Sequence, residues 1–261
     1  MKIFDWLFAP RHRLEVDVFG ISDKGLVRPD NQDCMFLDSR QRLFCVADGI
    51  GGGEGGAQAS FMICKAIALA SKRKSCFASL INRTAEAIHQ ANTEIRAYAL
   101  KNSLRQMGTT LAAMFINHDR PFEGVICHVG DSRIYRVRSG AFELLTHDHT
   151  IAGEIGRRSS LKAYSDEISR RAGGLSHVLT RAVGIEANVT PDWRKVDLRK
   201  RDRYLICSDG IYDMIPGEAI LQTLSKDASA KEIAEELSRL AIKAGACDNY
   251  TAIVLKIGGI K

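Results

Sequence analysis

The residues best suited to chemistry in this chain are four aspartates, Asp48, Asp131, Asp209 and Asp248, each beside a Gly, Ser or Asn. Each stands at the end of an apolar run or in a tight polar turn, where a buried strand typically turns back. One Asp-Gly pair alone is most simply a turn. Four converging carboxylates would repel one another unless a cation lay between them, and oxygen-only ligation suits Mg²⁺ or Mn²⁺. The pattern therefore favours a metal centre at the rim of a sheet.

The elements that would hold these aspartates occur in blocks. Strand patterns run from 16 to 48, and two helical segments follow at about 56–72 and 77–101. The remaining predicted strands lie near 110–116, 124–129, 134–137, 178–182, 189–196, 204–207 and 249–257, and the remaining helices near 216–224 and 229–244. Ser139-Gly140 predicts a hairpin turn, and Ser229-Ala230-Lys231-Glu232 is a capping box that predicts a helix start. Because strands and helices do not alternate regularly, an α+β layered domain is expected.

The composition is typical of a soluble enzyme of a reducing compartment. Of 261 residues, 45% are hydrophobic and 26% charged, and no apolar stretch approaches the ~18 residues of a membrane span. The apolar start is short and broken by Asp5, so we expect an N-terminal tail over 1–14, no signal peptide and a cytoplasmic location. The seven cysteines lack CxxC spacing. The net charge of +6 comes without aromatic interleaving in the basic stretch 194–203, so no nucleic-acid partner is expected.

The glycine-rich loop 49–56 allows a competing interpretation. Gly51, Gly53 and Gly56 satisfy GxGxxG, the pattern of dinucleotide-binding folds. However, the residues around 70–75 lack the ribose-binding acid, and a second helical segment follows where such a fold needs a strand. A phosphate-binding P-loop is excluded, because the loop does not end in Gly-Lys-Ser/Thr. Close backbone packing around a metal at Asp48, with the Gly49 carbonyl as a further ligand, explains the glycines better.

Eight short motifs occur in an order that resembles a known family. They are Arg28-Pro29-Asp30-Asn31-Gln32-Asp33, Val46-Ala47-Asp48-Gly49-Ile50-Gly51-Gly52, Met107-Gly108-Thr109-Thr110, Val129-Gly130-Asp131-Ser132-Arg133, Leu145-Thr146-His147-Asp148-His149, Leu179-Thr180-Arg181-Ala182-Val183-Gly184, Cys207-Ser208-Asp209-Gly210-Ile211-Tyr212-Asp213 and Asp248-Asn249-Tyr250-Thr251. Together they are similar to the metal-dependent type 2C (PPM) Ser/Thr protein phosphatases, in their short stand-alone bacterial form. The resemblance implies one domain over 15–258, an α+β, four-layer α-β-β-α sandwich of two antiparallel sheets flanked by helices. Residues 150–176, which are polar and rich in Arg and Gly, are expected to form a mobile helical insert in this domain.

The resemblance assigns a metal role to five residues. Asp48 would bridge two Mn²⁺ or Mg²⁺ ions, and the Gly49 carbonyl would bind one of them. Asp209 and Asp248 would complete the ligands of the other ion. Asp131 matches the residue that, with Asp209, holds a third ion in bacterial members. The implied cofactors are thus two core ions and a third beside them.

The resemblance also assigns catalytic roles. Asp33 would hold metal-bound water, and Arg28 would grip the phosphate with its guanidinium. Water bridging the ions at Asp48 would act as hydroxide and attack phosphorus in line, without a covalent intermediate. Ile50 stands where animal members carry a His proposed as general acid, so that group is absent here.

The implied function is hydrolysis of phosphoserine and phosphothreonine in proteins, reversing a Ser/Thr kinase, by a monomer. Two alternatives stay open at this point: a catalytically silent relative that binds phosphoproteins, and the dinucleotide-binding oxidoreductase. The polar segment 150–176, with arginine pairs at 157–158 and 170–171, is expected to be a mobile flap that contacts acidic phosphoprotein. His147 and His149 are expected to anchor a loop by hydrogen bonds, since a zinc site needs three or four ligands.

Overall fold

The computed structural model describes residues 14–51, 54–72, 76–104, 106–158 and 178–260. The predicted N-terminal tail, except Leu14, lies outside the described residues. So does the predicted flap beyond residue 158. None of the described helices is both long enough and apolar enough to cross a membrane.

The described residues contain twelve strands and six helices. In order the strands are β1 Leu14–Asp23, β2 Cys34–Asp38, β3 Leu43–Ala47, β4 Gly49–Ile50, β5 Gly108–Thr109, β6 Leu111–Ile116, β7 Glu123–Val129, β8 Arg133–Arg138, β9 Ala141–Leu144, β10 Asp192–Asp197, β11 Arg203–Cys207 and β12 Tyr250–Ile260. The described helices are α1 Glu54–Ser71, α2 Phe77–Lys101, α3 Ile151–Arg158, α4 Asp209–Tyr212, α5 Gly217–Leu224 and α6 Ala230–Lys243.

The strands form two five-stranded antiparallel sheets. The first sheet has the order β1-β12-β11-β8-β9, and the second has the order β10-β7-β6-β3-β2. A separate two-stranded ribbon pairs β4 with β5. The predicted hairpin between β8 and β9 is confirmed, because Ser139 (φ 50°) and Gly140 (φ 82°) both adopt the positive φ that a tight two-residue turn needs.

Three apolar layers hold the sheets and helices together. Between the sheets, Phe44 and Val46 of β3 pack with Tyr204 and Ile206 of β11. The alternate residues of β3, such as Cys45, face the opposite way and pack with α1 and α2. In the same manner the outer face of the first sheet packs with α5 and α6. Period-two alternation of fully buried strands thus builds the predicted α-β-β-α sandwich.

Most predicted elements are confirmed, with one clear error. The capping box at the start of α6 is present, with the Ser229 hydroxyl accepting from the Glu232 N–H and the Glu232 carboxylate accepting from the Ser229 N–H. The predicted strand at 178–182 is wrong: apart from one isolated bridge between Leu179 and Thr150, this segment joins no sheet. Its backbone bonds the segment 149–151 instead: the His149 carbonyl accepts from the Thr180 N–H at 2.8 Å, and the Val178 carbonyl accepts from the Ile151 N–H at 3.0 Å. Tertiary contacts override the local strand propensity here.

The sheet topology brings the aspartates to one end of the sandwich. Asp48 follows β3 of the second sheet, whereas Asp209 follows β11 and Asp248 precedes β12 of the first. Antiparallel pairing places Cys207 opposite Ala252, so the end of β11 and the start of β12 lie side by side. Carboxylates from both sheets therefore meet at a common rim.

Candidate metal centre

The backbone of Asp48 is held by Thr109 and Thr110, the two residues that lead into β6. The Asp48 carbonyl accepts from the Thr110 N–H at 2.9 Å and from the Thr109 hydroxyl at 2.8 Å, while the Asp48 N–H donates to Thr110 Oγ1 at 2.9 Å. Thr110 Oγ1 also lies 2.6 Å from the Ser132 hydroxyl oxygen. Both backbone groups of Asp48 are thus engaged, which fixes the position of this residue at the end of β3.

The glycine-rich loop serves close packing. A Cβ on Gly49 would lie 2.2 Å from the Gly56 carbonyl oxygen and 2.6 Å from the Gln32 carbonyl oxygen. A Cβ on Gly56 would meet the Gln32 side-chain oxygen at 2.2 Å. Only glycine lets these backbones approach so closely. Gly49 thus lies directly beside Asp48 on a backbone path that no larger residue could follow.

Asp248 and its neighbour Asn249 shape the opposite wall of the cleft. Asp248 Oδ1 accepts from the Asn249 N–H at 2.8 Å, and Oδ2 accepts from Arg28 Nη2 at 2.7 Å. Asn249 is buried, and its side chain donates to the Lys24 and Asp30 carbonyls at 2.9 and 2.8 Å. Asn249 therefore ties the loop that carries Arg28 to the loop that carries Asp248.

Arg28 stands at the mouth of the cleft. About half of its side chain, 51%, is exposed, and its pKa is raised chiefly by the hydrogen bond to Asp248 and further by Asp209 and Asp48. An exposed guanidinium in the field of several carboxylates can turn toward an incoming dianion at little cost.

Asp33 has one satisfied and one unsatisfied carboxyl oxygen. Its Oδ2 accepts from the Ser208 hydroxyl at 2.6 Å, and Ser208 Oγ accepts in turn from the Thr251 N–H at 3.0 Å. Its Oδ1 is buried, and no donor within the described residues reaches it. Burial raises the pKa of Asp33 to about 6. A buried carboxyl oxygen without a partner is expected where a water or an ion normally sits. Ser208 lies in one of the eight motifs, but its hydrogen bond to Asp33 is not predicted from the sequence.

Asp131 is held by a tight turn between β7 and β8. Gly130 adopts φ 93°, and a Cβ there would lie 2.7 Å from Thr110 Cγ2. The Asp131 carbonyl accepts from the Tyr212 hydroxyl at 3.1 Å. Burial raises the pKa of Asp131 to about 8, and the charge of Asp209 raises it further than any other side chain. The two residues that the family resemblance assigns to a third ion thus lie close enough for the charge of Asp209 to raise the pKa of Asp131.

The clustered carboxylates of the cleft favour the binding of cations. Burial, followed by the charge of Asp33, raises the pKa of Asp48 well above its usual value, and Asp209, Asp131 and Asp248 add to the effect. Burial, followed by Asp213 and Asp248, raises the pKa of Asp209 to about 7. These carboxyls cannot all be charged without a compensating ion. The donor set, all oxygen and mostly carboxylate, fits hard divalent cations.

The aspartates are spread more widely than the ligands of a single enclosed ion. Within the described ranges, no three of these aspartates bring one carboxylate oxygen each to within 4.8 Å of one another. Mg²⁺ and similar ions commonly keep several waters and take only one or two carboxylates each. The spacing therefore fits ions shared between protein and water.

A different group with suitable ligand spacing lies behind Asp131: His128, His149 and Asp192. The two histidine rings are stacked, with centroids 4.6 Å apart and 26° between planes, so their in-plane lone pairs do not converge on one point. His149 Nδ1 accepts from the Gly130 N–H at 3.1 Å, and Asp192 Oδ1 accepts from Arg181 Nη1 at 2.7 Å. The anchoring role expected for His149 is thus seen. His147 contributes its backbone, whose carbonyl lies 2.8 Å from His128 Nε2.

One ion pair beside the centre was missed by sequence reasoning. Arg133 donates to both carboxylate oxygens of Asp148, at 3.0 and 2.6 Å, and its guanidinium lies 3.6 Å from the centre of the Tyr212 ring. Arg133 and Asp148 lie fifteen positions apart in two of the eight motifs, and nothing in the sequence indicates that they form an ion pair. The pair supports Tyr212, which holds the Asp131 backbone.

Comparisons with known proteins agree on one family. The family model described as protein phosphatase 2C matches residues 19–250. The serine/threonine protein phosphatase PstP of Mycobacterium tuberculosis is 33% identical over 240 residues, covering 90% of this chain and 44% of PstP. The serine/threonine phosphatase Stp of Listeria innocua is 30% identical over 246 residues, covering 90% of this chain and 93% of Stp. This chain thus spans less than half the length of PstP but nearly all of Stp.

Solved structures show the same architecture. The catalytic domain of PstP in complex with two manganese ions superposes with a TM-score of 0.80 at 30% identity, covering 94% of this chain and all of that domain (100%). The serine/threonine phosphatase of S. agalactiae superposes with a TM-score of 0.83 at 26% identity, covering 93% and 100% of the two chains.

Proposed function

The chain belongs to the protein phosphatase 2C family, and from this we propose that it is a metal-dependent phosphatase of phosphoserine and phosphothreonine in proteins. The observation that carries the proposal is the convergence of Asp48, Asp131, Asp209 and Asp248 from both sheets, with burial and mutual repulsion raising the pKa values of the first three. A phosphoryl group needs cations at the point of attack, and carboxylates clustered in this way would bind them.

Each predicted ligand has a place in this proposal. Asp48 would bridge two ions, with the Gly49 carbonyl on one and with Asp209 and Asp248 on the other. Asp131 and Asp209 would hold a third. When bound, the Mn²⁺ or Mg²⁺ ions supply an acidified water and neutralise the phosphoryl oxygens.

The protein's own groups would orient the reactants. Asp33 Oδ1, buried and without a donor among the described residues, would accept a hydrogen bond from the attacking water and so fix its direction. The Ser208 hydroxyl, at 2.6 Å from Asp33 Oδ2, would hold that carboxyl in place. Arg28 would leave Asp248 to pair with two phosphate oxygens, a geometry that a guanidinium matches.

A catalytic role is favoured over a silent phosphoprotein-binding role, because every aspartate expected to bind metal is present and placed at the same rim. We propose further that the substrates are products of a Ser/Thr kinase. The cytoplasmic location and the monomeric state stay predictions from the sequence.

Phosphate release from a phosphothreonine peptide, with and without Mn²⁺, tests the proposal. We expect turnover that requires Mn²⁺ or Mg²⁺ and stops with EDTA, since carboxylates alone supply neither the acidified water nor positive charge. Full turnover by the metal-free protein would refute the mechanism. Binding of the phosphopeptide without turnover, at saturating Mn²⁺, would favour the silent relative instead.

A further inference from the structure

A mostly apolar groove lies at the β4–β5 ribbon, and its lining includes Ile50, two residues along the chain from Asp48. It has a volume of about 650 Å³. Its apolar lining includes Ile50, Leu100, Leu104, Met107 and Ile185, and its polar lining is Arg96, Gln106, Thr180, Arg181 and Glu186. Leu100 is 81% exposed and Ile185 46% exposed. Exposed apolar side chains that cluster at a concave surface, rather than lying singly, mark binding sites.

The floor of the groove is continuous with the backbone of Asp48. Ile50 pairs with Gly108 in the β4–β5 ribbon, one residue beyond the pairing of Gly49 with Thr109. Thr109 in turn exchanges two 2.9 Å backbone hydrogen bonds with Val183. An unbroken run of backbone pairing therefore connects the metal-binding strand end with the loop that presents Ile185.

A buried side chain fixes that loop. Asn92 of α2 is only 2% exposed, and its Oδ1 accepts from the Gly184 N–H at 2.6 Å. Its Nδ2 donates to the Glu186 and Ala187 carbonyls at 3.0 and 3.2 Å. Three hydrogen bonds from one buried amide hold both flanks of Ile185 in place, so the loop cannot readily fold its apolar side chain away from solvent.

Glycine is required under Ile185. A Cβ on Gly108 would lie 2.8 Å from Ile185 Cδ1, so the isoleucine rests directly on the glycine backbone. Gly184 has φ 94°, and a Cβ there would lie 2.3 Å from Ile95 Cγ2. Gly108 and Gly184 thus hold the apolar side chain of Ile185 at the surface. Exposing an apolar side chain to water is unfavourable in the free protein, so its fixed position indicates a ligand that covers it.

We propose that this groove binds an apolar side chain of the phosphoprotein substrate, one or two positions from the phosphorylated residue. The inference rests on the proposed function and names a specificity element for it. Ile50 is two residues from Asp48, and two extended residues span about 7 Å. A substrate whose phosphate lies at Asp48 would therefore place a neighbouring side chain, not a distant one, at the Ile50 end of the groove that Leu100 and Ile185 also line.

Two phosphothreonine peptides test the proposal, one with leucine and one with serine at the two positions on each side of the phosphothreonine. With Mn²⁺, we expect wild-type kcat/KM to favour the leucine peptide about tenfold, the lower end of what a few methylenes in an apolar pocket provide. Ile185→Ala and Leu100→Ala should each reduce this preference, while turnover of the serine peptide and of p-nitrophenyl phosphate stays at the wild-type value. Ile242→Ala, an apolar truncation on α6 with 45% exposure, is the matched control and should leave the preference intact.

The outcomes separate the groove from the phosphatase activity. Equal wild-type turnover of both peptides, or a preference that survives in both groove variants, would overturn the groove. Leu100 is so exposed that its truncation should not unfold the protein, which keeps the test valid if Ile185→Ala lowers stability. Hydrolysis of neither peptide by the wild type with Mn²⁺ would overturn the proposed function and the groove with it.

Discussion

Asp131→Asn should stabilise the metal-free protein, and more so at alkaline pH. Burial raises the pKa of Asp131 to about 8, against about 3.8 in the unfolded chain. Because the folded protein holds this proton where the unfolded chain has released it, stability falls as pH rises from about 4 to about 8. The difference of about four pH units, at about 1.36 kcal/mol each, sets an upper limit of about 5–6 kcal/mol. Relaxation and water entry remove part of this, and we expect about 3 kcal/mol above pH 8.

Thermal melting in EDTA measures the effect. A chain of this length shifts its Tm by about 2–4 °C per kcal/mol. Asp131→Asn should therefore melt roughly 6–12 °C above the wild type at pH 9, with a smaller gain of about 3–6 °C at pH 5, where the penalty is about 1.6 kcal/mol. Asp227→Asn makes the same charge change at an exposed position and should have little effect. Equal melting of wild type and Asp131→Asn at both pH values would refute the claim that burial penalises this carboxylate. Saturating Mn²⁺ should shrink the gain, since ions neutralise the wild-type cleft.

Three further predictions concern the cleft. Arg28→Ala should raise KM for a phosphopeptide with little change in kcat, if Arg28 binds the phosphate equally in the ground state and the transition state. Steady-state kinetics that leave both constants unchanged would show that Arg28 is a surface residue without a role in phosphate binding. Asp209→Asn should lower turnover of phosphopeptide and p-nitrophenyl phosphate alike by at least ~100-fold with unchanged circular dichroism, and activity near wild type would remove Asp209 from the metal ligands. Gly49→Ala places a Cβ 2.2 Å from the Gly56 carbonyl and should cost about 1–3 kcal/mol or more in chemical denaturation, whereas a neutral effect would show that the loop can open.

The parts of the fold that the sequence predicted are those with strong local patterns. The apolar runs that end in Asp48 and Asp209 are strands because alternate residues face two different apolar layers, and both ends are marked by small residues. The segment 178–182 misled, since its Val, Leu and Thr have strand propensity but its backbone pairs locally with the segment 149–151 and joins neither sheet. The two-residue strands of the β4–β5 ribbon are too short to leave a periodic pattern.

The same distinction between local pattern and long-range contact applies to the candidate site. Asp48, Asp131, Asp209 and Asp248 were predicted from residue type and turn context, and a family resemblance supplied their roles. The stacked rings of His128 and His149 could not be predicted, because the pair depends on how the β7–β8 turn meets the loop after β9. Support of Asp33 by Ser208 is likewise a long-range contact, across 175 positions of sequence.

Asp48 and Asp248 come from opposite sheets and from opposite ends of the chain. An ion bound by both would close a loop of about 200 residues and, by loop-entropy reasoning, would remove about 5 kcal/mol of entropy from the unfolded chain, as a long-range disulfide does. All seven cysteines lie within the described residues, and none is in a disulfide. The metal would thus be a reversible cross-link, and resistance to unfolding would rise and fall with the free divalent-cation concentration around the protein.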